Sequence, residues 1–174
     1  MSLIAPYITY GLTSWGNASK TLVNKVLVLQ KRALRLTHFV QAREHAIPLF
    51  LKCNLLPLEF LYYEKIVNLM YDINTNSAPI NILNLFSKIA SVHSYNTRSS
   101  TSEHYFTKQS VLNVQSKAFS RVGVKIWNGI PTSFKNLSKN SFKKIIRTKL
   151  IEILEAEDSY AEIDTIINKM IDST

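Results

Sequence analysis

Basic side chains recur along one stretch of the sequence at helical spacing, and their chemistry is the binding of anions. Residues 20–39, KTLVNKVLVLQKRALRLTHF, include Lys25, Lys31, Arg32 and Arg35 but no Asp or Glu. Residues three or four apart share a face of a helix, so these cations can lie together along a phosphate backbone. The alternative interpretation is a core helix whose basic face is merely solvated.

A second basic group and a polar arm supply the other candidate contacts. The segment SFKKIIRTKL has an apolar side, and Lys143, Lys144 and Arg147 fill its exposed side. Tyr95 and Arg98 lie in HSYNTR, within a Ser- and Thr-rich stretch without periodicity. An exposed arm of this composition makes these two residues better candidates for nucleic-acid contact than Trp15 or Trp127, which are expected to pack in the core.

The residues that usually perform catalysis or hold metals lack the necessary spacing. The four glycines stand far apart and form no phosphate-binding loop. His38, His45, His93 and His104 are dispersed, with one cysteine in the whole chain. Cys53 is flanked by apolar residues and is expected to pack rather than react. The sequence therefore predicts no catalytic residue, no metal site and no cofactor, and its single cysteine fits an intracellular setting.

The candidate residues must be positioned by helices. In residues 20–39 one apolar stripe recurs at steps of four and three and is predicted to face the core: Leu22, Val26, Leu29, Ala33 and Leu36. Pro48 and Pro57 each precede or open a further apolar run and are predicted to mark helix starts. Short connections between these helices predict a bundle.

Composition shifts divide the chain into four segments. We predict a mainly α fold with a helical bundle over 1–88, a polar linker or arm over 89–104, a basic helical C-terminal module over 105–155 with possible short strands at its beginning, and an acidic tail over 156–174. Apolar residues make up 46% of the chain, enough for a core.

Charge is concentrated in one part of the chain. The net charge is +9, and residues 91–150 hold 11 basic residues against 1 acidic residue, whereas residues 151–174 hold 7 acidic against 1 basic. A basic excess of this kind favours nucleic acid as the partner. No apolar run approaches the length of about 20 residues that spans a bilayer, and no membrane partner is expected.

Four blocks resemble the C-terminal end of reverse transcriptases from non-LTR retrotransposons, LINE-like elements of the jockey type. PYITYGLTSWGNAS followed by LQKRALRLTHF is similar to the family's Y-G, W-G-x-A and Q-K-x-x-x-R pattern in the thumb. PLFLKCNLLPLEFLYYEKIVNLMY resembles the block that follows, and HSYNTR resembles H-x-Y-x-T-R. GVKIWNGIPTSFK with SFKKIIRTKL resembles G-x-x-x-W-N-x-L-P and F-K-x-x-L-K, so the likeness covers residues 6–154.

The resemblance implies a role for the basic helix, and it also shows that parts of the family's enzyme do not occur in this sequence. Thumbs of such polymerases hold the template–primer duplex, which gives Lys31, Arg32 and Arg35, with Lys25 behind them, the role of phosphate contacts. The expected partners are a nucleic-acid duplex or an RNA–DNA hybrid and the missing palm domain. The family's Y-x-D-D palm motif and its endonuclease domain do not occur in this sequence. We therefore expect a fragment of an RNA-directed DNA polymerase that is not an enzyme by itself.

A different class of function stays open. The same sequence suits an inert or repurposed helical domain that binds protein. Charge geometry discriminates between the two hypotheses: basic residues of 20–35 and 91–150 gathered on one face favour nucleic acid, and scattered ones favour the alternative.

Overall fold

A computed structural model describes residues 5–92, 104–107 and 118–156, and these residues are mainly helical, which confirms the predicted fold class. Within these ranges there is no strand, and the predicted short strands are represented by one antiparallel bridge between Lys88 and Tyr105. The remainder of that predicted strand region, 108–117, lies outside the described residues. The helices are α1 (Ala5–Thr9), α2 (Leu12–Trp15), α3 (Lys20–Thr37), α4 (Ile47–Lys52), α5 (Leu58–Asn74), α6 (Ile80–Leu83), α7 (Ile89–Val92), α8 (Phe119–Gly129), α9 (Thr132–Lys135) and α10 (Lys139–Ala156).

By their internal contacts the residues form two compact units. Unit 1 contains the described residues up to Lys65 and those from Lys144 onward, and unit 2 contains those from Ile66 to Lys143. The division falls inside α5 and inside α10. The segments predicted from composition follow chain order, whereas these units do not, because α5 and α10 each contribute residues to both units.

Helix ends in unit 1 follow local chemistry. Pro48 occupies the first turn of α4, and α5 begins directly after Pro57, as the sequence predicts. Ser19 holds the N-cap position of α3 with extended backbone, although its side chain makes no capping hydrogen bond. Beyond α3, Phe39 adopts a left-handed conformation with φ 54°, which ends the helix.

The core of unit 1 is built from apolar side chains on α2, α3, α4, α5 and α10. α4 contributes the fully buried Phe50, α5 contributes Phe60, and the last three turns of α10 contribute Leu150 and Leu154. Gly16 lies against this core, where a Cβ atom would meet the ring of Tyr62. These contacts leave α3 at the surface of the unit with one side buried.

The core of unit 2 contains a cluster of aromatic side chains among aliphatic ones. The ring centroids of Tyr71 and Phe142 are 4.7 Å apart, and those of Trp127 and Phe142 are 5.9 Å apart. The Tyr71 hydroxyl donates a hydrogen bond of 2.6 Å to the carbonyl of Leu137. Trp127 is fully buried, as expected for a packing residue, and its ring is closed to base stacking. None of the helices in the described ranges combines the length and the apolar character needed to cross a membrane.

Candidate nucleic-acid interface

The orientation of α3 differs from the orientation that the sequence predicts. The buried residues of α3 are Val23, Leu27, Gln30 and Leu34. The predicted core stripe points outward instead: Leu22 is 54% exposed, Leu29 63% and Leu36 67%. Four members of the predicted stripe are each followed directly by a buried residue, so the helix is turned by one residue, about 100°.

A buried hydrogen bond explains this rotation. The amide Nε2 of Gln30 donates to the carbonyl of Leu56 over 3.0 Å, inside unit 1. A backbone carbonyl that is buried needs a donor, and Gln30 supplies it. The stripe predicted from the sequence does not contain Gln30, whereas the fold uses this polar residue to anchor the helix. The predicted apolar face of α3 was therefore wrong.

The four cations of α3 that the sequence predicts as phosphate contacts fall into two groups. Lys25 and Arg32 are exposed and stand seven residues apart, on the side of the helix that faces away from the core. Lys31 is half-buried, and burial, followed by the nearby charge of Arg35, lowers the pKa of its ammonium group, while Glu59 acts in the opposite direction. The Nε of Arg35 donates to the carbonyl of Glu44 over 2.8 Å. Only the first group faces solvent fully.

The cations of α10 divide in a similar way. Lys144 is exposed on unit 1, and Lys143 is exposed on unit 2. Arg147 is bound within unit 1: Nη1 donates to Oε1 of Glu64 over 3.1 Å, and Nη2 donates to the carbonyl of Asn54 over 2.7 Å. The guanidinium group thus donates to a carboxylate and to a carbonyl, and no pattern in the sequence predicts either partner.

A groove runs along the N-terminal half of α3. Its volume is about 570 Å³, and its lining in the described part of the chain consists of Lys20, Thr21, Asn24, Lys25, Val28 and Leu29. Cationic, polar and aliphatic side chains all contribute to this lining. The outer surface of α3 is therefore mixed in character and is not the purely basic face that the sequence predicts.

Two further candidates, Tyr95 and Arg98, lie outside the described residues. Their predicted role as nucleic-acid contacts stays a prediction. The same applies to the question of whether all the basic residues of 20–35 and 91–150 share one face, because they belong to two units.

One pair of reactive side chains was missed by the sequence analysis. Sγ of Cys53 lies 3.3 Å from Nε2 of His38, and Nδ1 of His38 lies 3.0 Å from the carbonyl of Leu34. In a neutral imidazole, a proton on Nδ1 would donate to this carbonyl and would leave Nε2 to accept from the thiol. Among residues 5–92, 104–107 and 118–156, no three His, Cys, Asp or Glu side chains are grouped so that they could hold a metal ion.

Comparison of the chain with protein-family models, with curated proteins and with solved structures finds no match.

Proposed function

We propose that this chain binds duplex nucleic acid, DNA or an RNA–DNA hybrid, without reading its sequence. The observation that carries the proposal is the outward position of Lys25 and Arg32 on α3, an 18-residue helix that contains no acidic residue. Seven residues correspond to about 10.5 Å along a helix axis, so the two cations can reach different phosphates of one duplex. Lys144, exposed on the same unit, is a third candidate contact.

Three of the residues predicted to contact phosphate are less available for that role. Arg147 is engaged with Glu64, Arg35 donates to a backbone carbonyl, and Lys31 is half-buried. Taking these groups out of their own contacts to bind phosphate would cost the hydrogen bonds they already make. Nucleic-acid binding therefore depends on Lys25 and Arg32 more than on Lys31, Arg35 and Arg147.

The proposal extends to the origin of the chain. The four blocks over residues 6–154 resemble the thumb and post-thumb region of a LINE-type reverse transcriptase, and a thumb binds duplex through backbone contacts. A chain without the palm motif lacks the paired aspartates with which such polymerases hold the metal ions of nucleotide transfer. We therefore propose that it binds template–primer but does not extend a primer by itself. Primer extension by a pure preparation, abolished by substitutions in this chain, would overturn that part.

Fluorescence anisotropy of labelled duplexes as a function of salt tests the binding. A blunt DNA duplex and the RNA–DNA hybrid of the same sequence are titrated with the full chain between about 50 and 200 mM salt. Each phosphate contact contributes a log–log slope of roughly −0.9 on duplex DNA. The double variant K25Q/R32Q should reduce the steepness of this slope by about 2, while its helix content stays unchanged because Gln is a good helix former.

The matched control is K52Q/K65Q, which also removes two positive charges, but from exposed positions of unit 1 outside α3. It should leave the slope within a fraction of one unit of the starting protein. An equal loss in both double variants would mean that net charge alone attracts the duplex. An unchanged slope in K25Q/R32Q would remove α3 from the interface.

A further inference from the structure

Three leucines on the outer side of α3 are more exposed to solvent than their hydrophobicity favours. Leu22, Leu29 and Leu36 follow one another at intervals of seven residues, and each exposes more than half of its surface. The half-buried Val26 and Ala33 lie between them and complete the stripe. An unbroken apolar stripe on the surface of a folded unit commonly marks a binding site.

The geometry of the stripe is that of a helix–helix seam. Alternating steps of four and three residues keep the five side chains within an arc of about 80° on the helix surface. A stripe of this width can pack against a single helix that runs along it. From Leu22 to Leu36 the seam is about 21 Å long, which corresponds to two heptads.

The charges beside the seam define the partner. Lys25 and Arg32 follow Leu22 and Leu29 by three residues each, which is the position where coiled coils carry the charges that select a partner. α3 supplies no carboxylate to neutralise them. A second copy of α3 would bring the same cations and no acidic group, so charge complementarity disfavours self-association.

Other occupants fit less well. Phosphate groups gain nothing from contact with leucine side chains. A membrane surface takes up a broad apolar helix face, whereas this stripe is narrow and the neighbouring side of α3, about 100° away, is buried in the core of unit 1. A helix with its own apolar row and acidic residues beside it satisfies both the leucines and the cations.

We propose that the outer face of α3, defined by Leu22, Lys25, Leu29, Arg32 and Leu36, docks an acidic amphipathic helix of a partner protein. This function does not depend on nucleic-acid binding. Because both partners use Lys25 and Arg32, the helix and the duplex compete for α3. The leucines serve only the helix, and this difference separates the two proposals experimentally.

Two designed peptides test the proposal. Each has three heptads with leucine at every a and d position. One carries glutamate at e and g, and the other carries lysine. Their binding to the full chain is measured by calorimetry. We expect the acidic peptide to bind and the basic peptide to fail, and we expect K25E/R32E to reverse this preference. Equal binding of both peptides to the unaltered chain would overturn the proposal.

The variant L22Q/L29Q/L36Q tests the seam itself. It should weaken binding of the acidic peptide by about 100-fold or more, because buried leucines at the centre of a small interface carry much of its affinity. Circular dichroism should show an intact helix, since all three side chains are exposed already. Its salt slope on duplex DNA should match that of the unaltered chain.

The matched control is I80Q/L85Q, which removes two exposed apolar side chains of unit 2. It should bind the acidic peptide like the unaltered chain. Retained affinity in L22Q/L29Q/L36Q, or an equal loss in the control, would overturn the proposal. Three other outcomes would replace the proposed occupant. Dimerisation that depends on the leucines would name a second copy of the chain, and leucine-dependent binding to phosphatidylserine vesicles would name a membrane. Tighter binding of a peptide of residues 157–174 than of the designed peptide would name the chain's own C-terminal segment.

Discussion

The side-chain amide of Gln30 and the carbonyl of Leu56 are joined by a buried hydrogen bond of 3.0 Å. This bond holds α3 against the segment between α4 and α5, within unit 1. It also decides which stripe of α3 is buried and which stripe meets solvent. The surface that we assign to nucleic acid and to a partner helix therefore depends on one polar residue in the core.

Replacing Gln30 by Glu should destabilise unit 1 strongly. At neutral pH a carboxylate can only accept, so it would face the Leu56 carbonyl without a hydrogen bond and would be buried as a charge. We expect a loss of about 3–5 kcal/mol in the free energy of unfolding, measured with urea. The control Q30L should lose about 1–3 kcal/mol at most, because it leaves only the carbonyl unpaired. Equal stability of Q30E and the unaltered chain would refute the role of this bond.

Arg147 is expected to stabilise the fold rather than to bind phosphate. Its guanidinium group donates to Glu64 and to the carbonyl of Asn54. R147Q should lower the free energy of unfolding by about 1–3 kcal/mol, because a charged hydrogen-bonded network is broken. The control K144Q, at an exposed position of the same helix, should change stability by no more than about 0.5 kcal/mol. If R147Q reduces the salt slope on DNA without affecting stability, the prediction from sequence that Arg147 contacts phosphate is correct.

The buried tyrosines of α5 predict a loss of stability at high pH. Burial raises the pKa of Tyr62 to about 12 and also raises the pKa of Tyr63. An unfolded tyrosine ionises near pH 10, so the folded chain holds protons that the unfolded chain releases above that pH. The contribution to stability is therefore complete below about pH 10 and is lost as pH rises toward 12.

The variant Tyr62→Phe checks this pH dependence. Its unfolding free energy, measured by urea denaturation from pH 8 to about 11, should fall less steeply than that of the unaltered chain. At neutral pH the change should stay within about 1 kcal/mol, because the Tyr62 hydroxyl is buried and has no hydrogen-bond partner in the described part of the structure. An identical fall in both proteins would show that Tyr62 does not contribute.

Two glycines should differ in their tolerance of alanine. A Cβ at Gly16 would overlap the ring of Tyr62 and approach the carbonyl oxygen of Leu12 to 2.6 Å, and neither group can move easily. At Gly123 the nearest atom would be Sδ of Met70 at 2.9 Å, on a flexible side chain. We expect G16A to cost about 2 kcal/mol or more in unfolding free energy and G123A to cost about half as much or less. The reverse order in thermal denaturation would contradict the packing around Gly16.

Local sequence chemistry predicted the helical elements well. The apolar periodicity and the absence of helix breakers predict a helix over residues 21–39, and α3 spans Lys20–Thr37. Pro48 and Pro57 mark the starts of α4 and α5 for the reason given from sequence, because proline suits a first turn. The extent and the start of a helix depend mainly on residues that are close together in the chain, and these residues can be read directly from the sequence.

The candidate site was predicted only in part. Periodicity gave the helix and its cations, but it could not show that Arg147 meets Glu64, a residue 83 positions away. The hydrogen bond between Cys53 and His38 was missed for the same reason, since each residue taken alone looks like an ordinary packing or surface residue. Contacts between distant residues require the positions of helices relative to one another within a unit, and no local pattern encodes those positions.

The sequence by itself determined a helix within residues 21–39 that carries cations and an apolar stripe, because both properties follow from spacing along the chain. Only the tertiary structure decided which stripe is buried. The stripe of Leu22, Leu29 and Leu36 is the more hydrophobic, yet the stripe containing Gln30 lies in the core, because a buried carbonyl at Leu56 needs the donor that Gln30 provides. The choice turns α3 by about 100° and leaves three leucines with Lys25 and Arg32 at the surface.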